Sequence, residues 1–146
     1  MTHEREEEVS CPSCKKTDKI KFYYSINADL NPELREKLFN VEINVFKCKR
    51  CKNEAILLDI PLLYHDMKRK FQVWYYPVEN LKKDDFYNNF SVDGKQTLGD
   101  RIKEIAPKFL LEGYQSNPHI VFSMQEMLFY IIFRETLFAR CASKLH

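Results

Sequence analysis

Several features are scarce in this chain of 146 residues, and each scarcity argues against a class of protein. Only three glycines occur, which leaves little room for flexible linkers and no glycine-rich phosphate loop. The longest apolar run, 127–133, is far shorter than the ~20 residues that span a bilayer. The acidic start holds no apolar signal region, so we expect a cytoplasmic protein without a membrane span. The net charge of +2 is too small to indicate bulk attraction to nucleic acid.

The cysteines form the most informative pattern in the chain. Cys11 and Cys14 are separated by two residues, and Cys48 and Cys51 repeat that spacing. Zinc binds four sulfur ligands in a tetrahedron at about 2.3 Å, and two cysteines so spaced can close on one ion within a tight turn. Backbone N–H groups of the turn then point at the thiolates. We therefore predict one structural Zn²⁺ site, a closed shell without an open catalytic position.

Three other arrangements of the cysteines remain open. Disulfides are rare in reducing compartments, and nothing marks this chain as secreted. Cys11 and Cys14 share the Cys-Pro-x-Cys pattern of thiol redox enzymes, but such a motif follows a buried strand and opens a helix. Here the acidic run 4–8 precedes it and the lysine-rich run 15–19 follows it. The third alternative is two unrelated pairs of buried thiols.

Basic residues cluster around both cysteine pairs. In one interpretation they bind nucleic acid, with Tyr23, Tyr24 or Trp74 stacking on bases. In the other they offset the negative charge that four thiolates leave on a divalent ion. Glycine often follows the second cysteine of a zinc turn; lysine stands at both positions here, and we expect Asn53 to adopt the left-handed backbone. The cluster consists of Lys15, Lys16, Lys47, Lys49, Arg50 and Lys52.

The cysteine pairs and the sequence after them resemble the CpXC domain, a prokaryotic, zinc-ribbon-like family of uncharacterised function. The resemblance rests on the Cys-Pro-Ser-Cys start, on Phe46–Cys51, and on Leu62–Asp66 running on to Phe71–Pro77. It covers residues 1–80 well and the remainder weakly. Lys49 replaces the proline of the second motif without removing a ligand. The resemblance implies that the four cysteines bind metal, and it implies no activity.

The first half of the chain is predicted to be rich in β-structure. Residues 1–10 are acidic and polar, and we expect them to be mobile. Lys19–Asn27 and Val41–Phe46 are predicted strands that leave the first cysteine turn and enter the second. Pairing them would bring the two turns together, as in a zinc ribbon. A short helix, with Asn31 as N-cap and Pro32 at its first position, is inserted between them.

Further strands complete the region 11–80. Ala55–Tyr64 is a strand region that Pro61 interrupts, and the polar turn 65–70 leads into the strand Phe71–Tyr76. Phe71, Val73 and Tyr75 share one face of that strand, while aromatic residues also occupy the other face. The sheet is therefore covered on both sides by the chain's own helices, or one face meets a partner.

The remainder, 81–146, is predicted to be mainly helical and part of the same compact domain. A short helix is expected near 84–90, and 97–100 has the form of a capping box. Ser123–Glu126 is a second capping box, which opens the longest helix, to about Ala142. Residues 127–133 are apolar on every side, so we expect this helix to be deeply buried or shared with another subunit. Cys141 is expected to be a buried, unreactive thiol.

No catalytic constellation is evident. His65-Asp66 could form a general base, but neighbours in a turn point apart, and we interpret the pair as an Asp cap beside a surface histidine. The sequence thus predicts an α+β protein: a zinc-ribbon-like antiparallel β-sheet with an inserted helix, followed by a helical half that packs on the sheet. Its expected role is a non-enzymatic interaction module with a protein partner or a second copy, and no small-molecule substrate. Nucleic-acid binding is the alternative, and redox chemistry at Cys11 and Cys14 a distant one.

Overall fold

The computed structural model describes residues 1–79, 84–97, 100–106, 108 and 113–144. Among these residues, no helix is both long and apolar enough to cross a membrane. The strands are β1 (His3–Ser10), β2 (Thr17–Asn27), β3 (Val45–Lys47), β4 (Glu54–Ile56), β5 (Leu62–Asp66), β6 (Phe71–Tyr75) and β7 (His119–Val121). The helices are α1 (Pro32–Phe39), α2 (Asp84–Asn89), α3 (Asp100–Ile105) and α4 (Met124–Ser143), with a 3₁₀ turn at Tyr114–Ser116.

The strands form a five-stranded sheet in the order β1-β2-β5-β6-β7 and a separate β3-β4 ribbon. The α+β class is confirmed, but the main sheet is mixed and not antiparallel. β2 pairs with β5 in parallel, and β6 pairs with β7 in parallel. Both parallel pairs join strands that are distant in sequence, as parallel pairing requires a crossover connection. The first crossover contains α1 and the β3-β4 ribbon.

The mobile N-terminus that we expected is a strand. β1 pairs antiparallel with β2 along its whole length, from His3 opposite Ser25 to Ser10 opposite Thr17. Glu6 and Glu8 lie opposite Lys21 and Lys19 of β2. Glu4 pairs with Lys21 at 2.9 Å. Charged side chains suit an exposed edge strand because they discourage pairing with another molecule. The acidic run 4–8 is therefore part of a paired strand and not a mobile tail.

The strand predicted at Val41–Phe46 is shorter, and its predicted pairing is wrong. Val41 and Asn44 adopt left-handed backbone, with φ of 58° and 54°, so only Val45–Lys47 is extended. β3 pairs with β4 and β2 pairs with β1, so each cysteine pair closes a hairpin of its own. The two hairpins meet through the cysteines and not through a shared ladder.

The main core lies between one face of the sheet and the helices α1 and α4. The predicted inward face of β6 is correct, since Phe71, Val73 and Tyr75 are all buried. Met127 and Ile131 of α4 pack against this face and have no exposed surface. The other core members are Ile26, Leu34, Leu38, Ile43, Leu62, Tyr64 and Val121.

The opposite face of β6 is covered by the chain itself. Trp74 stacks on Tyr76 at 5.4 Å between ring centroids, and Phe86 and Phe90 pack edge-on against Tyr76 at 5.2 and 5.5 Å. Of the two alternatives for this face of the sheet, coverage by the chain's own residues is therefore the correct one at β6. Trp74 is consequently not free to stack on a base.

The capping box that opens α4 is confirmed. Glu126 N–H donates to Ser123 Oγ at 3.1 Å, while Ser123 N–H donates to Glu126 Oε2 at 3.2 Å. Of the two alternatives for residues 127–133, burial of every side within this chain is wrong, because Phe129, Ile132 and Phe133 are exposed. Burial against another subunit stays a prediction. The buried Cys141 is also wrong: this thiol is exposed near the end of the helix. The predicted capping box at 97–100 includes Leu98 and Gly99, which lie outside the described residues.

Candidate metal centre

The structure brings the four cysteine sulfurs into one cluster. All four Sγ atoms lie within 4.8 Å of one another. Cys11 Sγ is 3.5 Å from Cys51 Sγ, and Cys14 Sγ is 3.6 Å from Cys48 Sγ. A tetrahedron with metal–sulfur bonds of about 2.3 Å places its sulfurs about 3.8 Å apart, so the donor set fits one metal ion. These distances are much longer than the about 2.05 Å of a disulfide.

The two cysteine turns have nearly the same backbone geometry. In the first, Cys11 N–H donates to Lys16 O at 2.8 Å, and Lys15 N–H donates to Cys11 O at 3.0 Å. In the second, Cys48 N–H donates to Asn53 O at 2.8 Å, and Lys52 N–H donates to Cys48 O at 3.0 Å. Each turn is therefore closed by backbone hydrogen bonds of its own, made by the first cysteine of each pair.

The left-handed residue of each turn is a lysine. Lys15 and Lys52 have φ of 60° and 61°, at the position where zinc turns usually carry glycine. The expectation that Asn53 would adopt this conformation is wrong. Left-handed backbone costs residues other than glycine about 1–2 kcal/mol, because their Cβ atom comes too close to the backbone. Both turns thus hold a strained residue directly after the second cysteine.

Backbone amides stabilise thiolates at the two buried cysteines. The backbone N–H of Cys14, followed in effect by that of Ser13, lowers the pKa of Cys11 to about 6 despite burial. The N–H groups of Cys51 and Arg50 lower the pKa of Cys48 in the same way. The predicted orientation of amides toward sulfur is therefore present in both turns.

The pKa of Cys51 is raised, whereas those of Cys11 and Cys48 are lowered. The Asn53 amide favours its thiolate, but partial desolvation and hydrogen bonding to the other three sulfurs outweigh that effect and raise the pKa of the exposed Cys51 to about 11. Several negative sulfurs at these distances repel one another. A divalent cation at their centre would remove that repulsion, and metal binding requires deprotonated thiols.

A small apolar core of its own surrounds the cysteines. Cys11, Cys48 and Phe46 are almost fully buried and form its centre. Val9 of β1 packs against this core, which explains how the strand that we had expected to be mobile is held at the cysteine turn. The remaining contacts are made by Cys14, Ile20, Ala55 and Leu57. The cysteine core is separate from the main core beneath α4.

The basic residues around the site differ in their surroundings. Lys47 pairs with Glu54 at 3.3 Å, and Lys16 lies 3.8 Å from Asp18. Asp18 also accepts a 3.4 Å hydrogen bond from the Lys49 backbone N–H of the other turn. Of the tyrosines expected to stack on bases, Tyr24 donates to Glu7 at 2.9 Å beside the acidic edge strand. Lys47 and Lys16 therefore have carboxylate partners of their own, and the choice between nucleic-acid binding and charge balance at the thiolates stays a prediction.

His65 and Asp66 lie on strand β5 and not in the polar turn. His65 is buried, contrary to the expected surface position, and its Nε2 lies 2.7 Å from Tyr114 Oη. Asp66 accepts hydrogen bonds from the N–H and Nη1 of Arg69, both at 2.7 Å. The expected Asp cap is therefore present. The two side chains therefore have different hydrogen-bond partners.

A family model described as CpXC protein matches residues 9–137. The chain belongs to the CpXC family. The match runs from the end of β1 into α4, so the family relationship covers the helical half as well as the cysteine region. No curated protein and no solved structure matched the chain. The family assignment therefore agrees with the resemblance noted from the cysteine motifs and extends it beyond residue 80.

Sequence reasoning missed two contributors to the site. β4 pairs with β3 and completes the second hairpin, but it is only three residues long, and two of them fall inside the longer strand region predicted at Ala55–Tyr64. Asn44 donates to Tyr23 O and accepts from Tyr23 N, which attaches the second hairpin to β2. The closeness of Asn44 to Cys48 in the sequence is only a weak indication of its role, because nothing in the sequence pattern identifies Tyr23 as its partner.

Proposed function

We propose that the CpXC protein binds one structural Zn²⁺ through Cys11, Cys14, Cys48 and Cys51, and that it acts as a non-enzymatic protein-interaction module. The observation that carries the metal proposal is the approach of four sulfurs, from two separate hairpins, to within 4.8 Å. A shell of four thiolates leaves no open position for a substrate, so the ion builds structure and performs no turnover. A reducing, cytoplasmic compartment would keep the thiols available.

The ion would connect parts of the chain that little else joins. Each hairpin is closed by its own ladder, and the hairpins contact each other through the small cysteine core, the Asn44 bonds and the hydrogen bond from the Lys49 N–H to Asp18. So small a core contributes little hydrophobic stabilisation, and structural zinc commonly supplies the difference. Zinc removal is expected to loosen both hairpins and to leave the main core folded.

Metal analysis of natively purified protein tests this proposal. We expect one zinc per chain by mass spectrometry, lost in Cys11→Ser and Cys48→Ser and retained in the matched control Cys141→Ser, whose thiol is exposed and remote in sequence. Hydrogen exchange after chelation should rise in the two hairpins while β6 and the buried face of α4 stay protected. Absence of any bound transition metal would contradict the proposal.

Support for the interaction role comes from the solvent-facing side of α4. Phe129, Ile132 and Phe133 are all exposed there, although large apolar residues on a helix normally face a core. Concentrated apolar surface of this kind is typical of protein interfaces. Cross-linking and co-purification of the full chain, with Phe129→Ser as the comparison, test whether this side binds protein.

The alternatives have distinct signatures. Nucleic-acid binding predicts a gel shift that weakens steeply with salt and with Lys49→Ala/Arg50→Ala. A redox role requires that natively purified protein lack stoichiometric metal and that Cys11 react with alkylating agents, although Cys11 has no exposed surface. Neither behaviour is expected, and either one would replace the interaction role.

A further inference from the structure

Helix α4 carries a second apolar face in addition to the one that it buries. Met127 and Ile131 have no exposed surface, whereas Phe129 and Phe133 expose 63% and 57% of theirs. The two phenylalanines are four residues apart and lie on the same side of the helix. Leu137 continues their row by a further turn and is also exposed. We call Glu126, Phe129, Phe133, Leu137 and Arg140 the outer face of α4.

The end of the helix extends beyond its support. Residues 136–143 are exposed on every side, yet they remain helical to Ser143. An isolated helical segment of this length is unstable in water and normally depends on packing of an apolar side. Among the described residues, little contacts this segment beyond Arg69, whose guanidinium lies 5.7 Å from the Phe138 ring. The segment therefore has the composition of a helix that packs on another surface.

Charges of opposite sign mark the two ends of the outer face. Glu126 and Arg140 are both exposed, and Phe133 lies seven residues from each of them. A seven-residue spacing returns to nearly the same side of a helix, so the three residues form one stripe of about 21 Å at 1.5 Å per residue. The stripe thus has an acid at one end, apolar side chains in the centre and a base at the other end. It is complementary to an identical stripe that runs antiparallel to it.

We infer that a second copy of this chain covers the outer face, with the two α4 helices antiparallel and the twofold axis beside Phe133. This arrangement brings Glu126 opposite the partner's Arg140 and, by symmetry, Arg140 opposite the partner's Glu126. A parallel arrangement would instead place like charges together at both ends, which is unfavourable. The helix dipoles also oppose each other in the antiparallel pair. This inference rests on the proposed interaction role and names its partner.

A groove beside the helix is placed to receive the partner. It has a volume of about 470 Å³, lies between β7 and α4, and is lined by Ile120, Phe122, Phe129 and Phe133, with Glu126 at one end. In the antiparallel register the partner's Leu137 lies opposite Phe129, at the wall of this groove. An aliphatic side chain suits the lining, and the partner's Arg140 comes next to Glu126. The shape and the charge thus agree on the same register.

The oligomeric state of the full, zinc-loaded chain is the first test. Sedimentation velocity and light scattering over a concentration series should show a reversible dimer. Phe133→Asp puts two carboxylates at the twofold axis and should raise the dimer dissociation constant at least about 100-fold. Leu30→Asp is the matched control, because Leu30 is as exposed as Phe129 but lies in a turn before α1. The control should dimerise like the natural protein.

The register is tested by the charges at the ends. Arg140→Glu creates two like-charge contacts per dimer and should weaken the dimer on the order of ten-fold. Adding Glu126→Gln removes the repulsion and should restore most of the lost affinity. Glutamine keeps the capping acceptor, since Glu126 also accepts from the N–H groups of Phe122 and Ser123 at 3.0 and 3.2 Å. The double variant therefore keeps the helix cap, and its dimer affinity reports the charge at position 126 alone.

Each remaining outcome would overturn the inference. These are a monomer at every concentration, a dimer that Phe133→Asp leaves intact, and an Arg140→Glu defect that Glu126→Gln does not relieve. Circular dichroism and zinc content, measured on the same samples, separate these results from misfolding. Loss of zinc would count against the metal centre and not against the dimer, because the cysteines and α4 belong to different cores. A monomer that still binds another protein would leave the proposed interaction role standing.

Discussion

The side-chain amide of Asn44 makes a strand-like pair with the backbone of Tyr23. Asn44 Nδ2 donates to Tyr23 O at 2.9 Å, and Asn44 Oδ1 accepts from Tyr23 N–H at 2.8 Å. β2 has lost its neighbour at this point, since β5 pairs only with Ser25–Asn27. The amide thus satisfies a ladder position that would otherwise be open and holds the segment before β3 against β2.

This contact leads to the first prediction. Asn44→Ala leaves two backbone groups of Tyr23 without partners and also places alanine in the left-handed region. It should lower the free energy of unfolding by roughly 2–4 kcal/mol, because orphaned buried groups cost about 1–3 kcal/mol and the left-handed region about 1–2 kcal/mol. Asn44→Asp keeps the acceptor but loses the donor, so its loss of stability should lie between that of Asn44→Ala and zero. Urea unfolding of the zinc-loaded protein measures the effect.

The control for this prediction is Asn88→Ala, a substitution on the exposed surface of α2 that should change stability by less than about 0.5 kcal/mol. The contact also affects the metal, since it keeps the second hairpin near the first. We expect faster zinc release to a chelator from Asn44→Ala than from Asn88→Ala. Equal release rates would show that the cysteines alone hold the hairpins together.

The second prediction concerns the strained lysines of the cysteine turns. Glycine at Lys15 or Lys52 removes a left-handed cost of about 1–2 kcal/mol and adds about 0.5–1 kcal/mol of unfolded-state entropy, so each change should stabilise by roughly 0.5–1 kcal/mol. Lys15→Ala and Lys52→Ala lose the same charge but keep Cβ. The difference between the Gly and Ala variants in thermal unfolding isolates the backbone effect. A glycine variant no more stable than its alanine partner would contradict it.

The prediction of the cysteine cluster from the sequence succeeded because the information is local. A two-residue spacing between cysteines, the cap at Ser123 and the alternation of Phe71, Val73 and Tyr75 each depend on a few neighbouring residues. The errors arose where distant residues decide. β1 forms because β2 offers it an edge and lysines, and nothing in its own acidic sequence indicates that partner.

The same reason explains the wrong pairing of the hairpins and the missed strand β7. Val41–Phe46 alternates like a strand, but left-handed turns at Val41 and Asn44 leave only its end extended. β7 is three residues long, too short for a recognisable period, and it forms because β6 presents a free edge. Cys141 lies in an apolar helix, yet the helix extends past the sheet and exposes it. Local patterns identify elements; tertiary contacts decide their neighbours.

The third prediction concerns an ion pair that joins two helices. Arg35 of α1 donates from Nε and Nη2 to the two carboxylate oxygens of Glu135 of α4, at 2.7 and 2.6 Å. Both side chains are partly buried. Because the bonds are bidentate and partly shielded, Glu135→Gln should cost roughly 1–2 kcal/mol.

The comparison for this ion pair is Glu4→Gln, since the Glu4–Lys21 pair at 2.9 Å is exposed on both sides. That change should cost less than about 0.5 kcal/mol because solvent screens surface pairs. A double-mutant cycle of Arg35→Met with Glu135→Gln, measured by urea unfolding at one protein concentration, gives the coupling. Coupling no larger than that of the exposed pair would mean that this ion pair contributes little to holding α4 in place.

The fourth prediction follows from the buried His65. Burial is the main cause that lowers its pKa, and the N-terminal amino group adds to the effect, while Asp29 and Asp66 oppose it. In the unfolded chain the imidazole takes up a proton near pH 6.5, whereas in the folded protein it does so only at lower pH. The unfolded state therefore binds more protons as the pH falls through about 6.5, so the protein loses stability in that direction. His65→Gln can still bond Tyr114 but does not titrate, and its free energy of unfolding should fall less between pH 7.5 and 5.5. Zinc loss on acidification affects the natural protein and the variant alike, so the difference between their slopes of unfolding free energy against pH reports His65. Equal slopes would show that the imidazole titrates as it does in water.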